Sequence, residues 1–101
     1  KGMKIGQFVQ HCFRDAFDQN LINDDEIKRL QDRAYSKNIF NTKNEILRFK
    51  NLSPNDERGR PRYYKKELFC KDYLLNSQWF EGQWEYFLKW LREIGYKYNK
   101  N

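Results

Sequence analysis

Histidine, cysteine and long apolar runs are all scarce in this chain, and each scarcity removes a class of function. There is one histidine, His11, next to Cys12 in a segment of helical pattern. Neighbouring helix positions point about 100° apart, so the two side chains form neither a nucleophile–base pair nor a metal clamp. The two cysteines, Cys12 and Cys70, are far apart, and each sits where a small buried apolar group is wanted. Reduced thiols in a cytoplasmic protein are the expectation, rather than a disulfide framework. No apolar run is longer than three residues, so nothing in these residues reads as a membrane span or a signal-peptide core. A glycine-rich phosphate loop, a CxxC pair and a GxSxG elbow are missing too. "DEIK" at 25–28 contains a Glu-x-Lys, but in the first turn of a capped helix acidic residues already have a structural role. The reading is of a non-enzymatic protein with no cofactor and no metal ligand set.

Aromatic residues and positive charge are abundant. Phe, Trp and Tyr make up 18% of the 101 residues, too many for a disordered chain and enough for one core, so a single domain is expected. The formal net charge is +6 and it is local. Residues 1–35 carry six basic and six acidic side chains, and residues 72–101 carry four of each. Residues 36–71 carry ten basic against four acidic, which accounts for the whole excess. A confined excess suggests a surface directed at an acidic partner.

Ile5, Phe8, Val9, Cys12, Phe13, Ala16 and Phe17 form one continuous stripe, predicting a first helix of about 16 residues. Asn23 with Glu26 three residues on reads as a capping box opening a second helix over 24–33, which buries Ile27, Leu30 and Ala34. After a turn at "AY", Ser36 is expected to cap a short third helix with Ile39 and Phe40, stopped at Asn41. Leu47 and Phe49 alternate with Arg48 and Lys50 as in a short strand, and "SPNDERGRPR" (53–62) reads as a polar loop. "YYKKELF" and "YLLNSQW" around "CKD" predict a β-hairpin. A last helix begins near Ser77 or Phe80 and ends at Gly95, with Phe80, Trp84, Phe87, Leu88, Leu91 and Ile94 inward. Lys1-Gly2 ahead of Met3 reads as a cloning remnant, and residues 96–101 as a frayed tail.

The expected fold is therefore α+β and mainly helical: three N-terminal helices, a β-hairpin wing and a long C-terminal helix. In element order this resembles the winged-helix modules. The resemblance implies a helix-turn-helix pair, 24–33 and 36–41, whose second helix enters the major groove of duplex DNA.

The stretch "RGRPRYYKK" (58–66) carries the functional expectation. Arg58, Arg60 and Arg62, with Lys65 and Lys66, offer charges that match phosphate oxygens, and Tyr63 with its neighbour Tyr64 could stack on a base. Lys37, Lys43 and Arg48 are expected beside this wing. Nucleic acid, duplex DNA first, is the expected partner. The competing reading is a hairpin arm whose Lys and Arg merely guard a sheet edge. A different class rests on Trp79, Tyr86 and Trp90, a second stripe on the last helix. Exposed, these would bind another protein, a second copy of this chain or the rest of a larger parent; buried, they are core.

Overall fold

The computed structural model describes residues 4–97. Helix α1 spans Ile5–Asp18 and buries Ile5, Val9, Cys12, Phe13 and Ala16, the stripe the 3.6-residue period sets out. Helix α2 (Asp24–Leu30) opens on Asn23, whose side chain accepts from the Glu26 amide at 2.8 Å. The expected reciprocal bond is not made. The Glu26 side chain instead runs inward, accepting from Trp90 Nε1 at 2.9 Å, the Tyr35 hydroxyl at 2.7 Å and Arg29 Nε at 2.9 Å. Burial pushes its carboxyl toward a higher pKa, but these three donors and the Arg29 charge outweigh that and leave it below the ordinary value.

Helix α3 covers Arg33–Phe40 and is capped by Asp32, not Ser36. Asp32 takes the cap because α2 ends early and the turn shrinks to Gln31–Asp32, so Ala34 is exposed and Ser36 lies inside the helix. There the buried Ser36 hydroxyl donates to Leu30 O at 3.4 Å and accepts from Ile46 N at 3.0 Å, tying α3 to the next segment. Asn41 ends the helix in the left-handed region, φ 60°, as its side chain type allows.

Strand β1 (Leu47–Phe49) pairs antiparallel with β2 (Tyr73–Leu75), Leu47 opposite Leu75 and Phe49 opposite Tyr73. This corrects the expected hairpin. Its two ends exist, as the Phe69–Tyr73 and Tyr63–Asn76 bridges, but the chain between them leaves the ladder and β2 takes β1 as its partner. Period-2 alternation shows that a segment can be a strand; it does not say which neighbour it joins. Arg62 and Tyr64 still bond along the other edge of β2, through Ser77 N to Arg62 O and Tyr64 N to Leu75 O. A short 3₁₀ turn, Glu81–Gln83, leads into α4 (Trp84–Glu93), and Gly95 closes it at φ +86°. Described residues therefore form a small α+β fold of four helices and one two-stranded antiparallel sheet.

An aromatic cluster fills the space between the helices. Phe13 stacks on Trp90 with ring centroids 5.1 Å apart, and Phe40 meets Trp90 at 5.4 Å and Trp79 at 5.8 Å. Offset and edge contacts of this kind add about 0.5–1.5 kcal/mol per pair to area burial. Tyr96, read from sequence as part of a frayed tail, is buried and bonds Asp15 at 2.7 Å; residues 98–101 of that stretch, and residues 1–3, lie outside the described residues. No helix among the described residues is long and apolar enough to cross a membrane.

Candidate nucleic-acid interface

Residues 54–62 form a tight turn built around one carboxylate. Asp56 Oδ1 accepts the backbone amides of Arg58 and Arg60, both at 2.9 Å, and Oδ2 accepts Arg62 Nε at 2.9 Å. Asp56 N donates to Arg60 O at 2.8 Å, and Gly59 supplies the positive φ of +80° that the reversal needs. The amide of Arg60, then the Arg62 guanidinium and the amide of Arg58, hold the Asp56 pKa down to about 2. With its centre occupied in this way, the turn sends Arg58 and Arg60 outward into solvent.

The turn is anchored from below by Arg48. Its guanidinium donates to Glu45 at 3.0 Å, to Ser53 O at 2.9 Å and to Asn55 O at 3.0 Å, and lies 4.4 Å over the Tyr63 ring. Burial alone would lower the Arg48 pKa; the Glu45 carboxylate outweighs it, so the group stays charged. Asn76, 1% exposed, fixes the floor by donating to Asn44 O and Glu45 O while accepting from Gln78 N. On the far side, buried Gln83 donates to Asn41 O at 3.0 Å and accepts from Phe80 N at 2.8 Å, which pins the start of the last helix to the end of α3.

Between these walls lies a cleft of about 760 Å³. Six basic side chains line it, Arg33, Lys43, Arg48, Arg58, Arg60 and Arg62, against two acidic ones, Asp56 and Glu57. Arg58 and Lys43 have no side-chain partner among the described residues, Arg60 is held only by a 3.7 Å approach to Asp56, and Arg33 bonds only the neutral Asn44. Lys37 stands one turn along α3 from Arg33, on the same side of the helix.

The sequence-predicted residues divide accordingly. Arg58, Arg60 and Lys43 meet at the cleft with exposed side chains, whereas Lys37 is exposed on α3 but is not among the cleft residues. Arg62 and Arg48 also line it, but Arg62 is spent on Asp56 and Gln78 and Arg48 on the anchor just described. Tyr63 is 2% exposed with its hydroxyl on Glu45 O at 2.7 Å, so it supports Arg48 and offers no face to a base. Tyr64 is half-buried against Gly6. Lys65 and Lys66 lie outside the cleft, on the segment that Glu67 pairs to Arg14 of α1. Trp79 and Trp90 are core residues, 7% and 1% exposed, and only Tyr86 of the second stripe reaches the surface. The expected protein-binding patch thus lacks its two tryptophans.

Two cleft residues escaped the sequence reading. Arg33 belonged to a segment of zero net charge, although its spacing of four from Lys37 could have flagged it. Phe80 was placed in the apolar stripe, yet it precedes the helix, lines the cleft and is 65% exposed. The two thiols stand apart from all this. Burial pushes Cys12 up to about 11 and Cys70 up to about 12, so both are protonated, poor nucleophiles near neutral pH. Among the described residues no group of three or more His, Cys, Asp or Glu side chains could hold a metal ion.

Comparison with protein-family models, with curated proteins and with solved structures finds no match to this chain. The described residues form a small α+β fold that carries a basic cleft.

Proposed function

We propose that this protein is a non-enzymatic nucleic-acid-binding module whose cleft grips the phosphate backbone. One observation carries the reading: Arg33 and Lys43, from α3 and the segment after it, and Arg58 and Arg60, from the Asp56 turn, face the same concave surface with little carboxylate to neutralise them. Two distant stretches supply those charges, so the arrangement is a product of folding and not of a run of basic residues. Arginine forks suit phosphate oxygens, and their charge does not titrate away. In a winged-helix description α2 and α3 stand as the helix pair and the 54–62 turn takes the place of the wing.

The test is the salt dependence of binding. Four phosphate contacts, by Arg33, Lys43, Arg58 and Arg60, correspond to a slope of log K against log salt of about −3 to −4. The double change Arg58→Ala and Arg60→Ala should make that slope shallower by roughly 1.5–2. Both side chains are exposed, so the melting temperature should hold. A flat salt response, or no binding to any oligonucleotide at the lowest salt, would refute the reading.

A further inference from the structure

Phe80 is the largest exposed apolar side chain in the neighbourhood of the cleft, and the backbone that carries it is held in place. Its amide bonds the Gln83 carboxamide, which is itself buried and tied to Asn41. An aromatic ring left 65% exposed on a wall that also carries arginine offers a free face for stacking. In the same cleft, the side-chain amides of Asn41 and Asn55 have no partner among the described residues. At about 760 Å³ the concavity falls among those that enclose a small molecule, roughly 300–1,000 Å³. A duplex keeps its bases stacked inside a convex cylinder and has none free to lie on Phe80 in the cleft wall. An unpaired strand can.

We propose that the cleft takes an unpaired nucleotide of a single strand, its base stacked on Phe80 and its phosphates on Arg58 and Arg60. The inference rests on the polyanion reading above and narrows it: a flipped-out base bonds through its edge to Asn41 or Asn55 while the backbone crosses the Asp56 turn. Stacking of this kind tolerates any base, because every base offers a π-face, so strand state and not sequence sets the preference.

The experiment uses a fluorescent single strand of about ten nucleotides, the duplex of the same sequence, and a strand with an abasic site at each position. Phe80→Ala should weaken binding of the intact strand roughly tenfold. Binding of the abasic strand and of the duplex should not change, and Phe80→Trp should keep the intact-strand affinity. Phe80 is exposed, so the fold should survive, which circular dichroism checks. If Phe80→Ala weakens all three probes equally or none, while Arg58→Ala with Arg60→Ala still weakens them, the stacking inference falls and the polyanion reading stands. If no probe binds at low salt, both fall.

Discussion

Removing the buried carboxylate of Glu26 tests how the helices are held together. In Glu26→Ala the Trp90 Nε1–H, on a side chain only 1% exposed, loses its acceptor. A buried donor left unsatisfied costs about 1–3 kcal/mol. The Tyr35 hydroxyl is half-buried and can turn to water, so its loss is smaller. The Arg29 guanidinium is 51% exposed, so its ion pair with Glu26 is screened by solvent and adds little. Together the loss should be about 2–4 kcal/mol, or roughly 10–25 °C in melting temperature for a domain of this size. Asn23 remains the cap of α2, so the change acts through the contact between α2, α3 and α4 and not through the helix end. Urea denaturation followed by far-ultraviolet circular dichroism measures it. Trp90→Phe removes the donor as well as the need for its acceptor, so the double variant should be less destabilised than the two single losses added together, by about 1 kcal/mol or more. A loss below about 1 kcal/mol for Glu26→Ala, or strict additivity with Trp90→Phe, would show that Glu26 is not the tie described.

Other outcomes follow from the Asp56 turn and its anchor. Arg48→Met keeps an apolar stem over Tyr63 but removes the bonds to Glu45, Ser53 and Asn55. It should cost on the order of 2 kcal/mol and speed amide exchange across residues 53–62; unchanged exchange there would contradict the anchoring role. Acid should loosen the same turn. The folded pKa of Asp56 is about 2, below the roughly 3.9 of a free aspartate. Its stabilising contribution is therefore complete above the free value and is lost as pH falls from about 4 to about 2. Glu26, also lowered, acts in the same direction. Urea midpoints that do not fall over that interval, or that fall equally in Asp56→Asn, would overturn the assignment to Asp56.

Much of the fold was legible because it rests on local chemistry. The α1 stripe, the Asn23 cap, the left-handed stop at Asn41 and the 47–49 strand depend on residues within a few positions of one another. Harder to read were choices between competing caps and partners. Asp32 and Ser36 are both good helix starters, and the early end of α2, with Ser36 bonded to Leu30 and Ile46 inside the helix, leaves the cap to Asp32. Likewise both β1 and the 63–69 segment could pair with β2, and the chain gives most of the ladder to β1.

The sequence by itself determined that the charge excess lies in the middle third and that aromatic residues build the core. Which of those charges point the same way was settled by tertiary structure. Asp56, Glu45 and Gln78 hold Arg62 and Arg48, Glu67 pairs with Arg14 near Lys65 and Lys66, and Arg33 joins Arg58 across the cleft. Charge is additive along a chain and can be counted there. Whether a guanidinium is free or already bonded depends on groups that only folding brings within about 3 Å, and the same long-range packing decided that Tyr63 is buried while Phe80 faces the water.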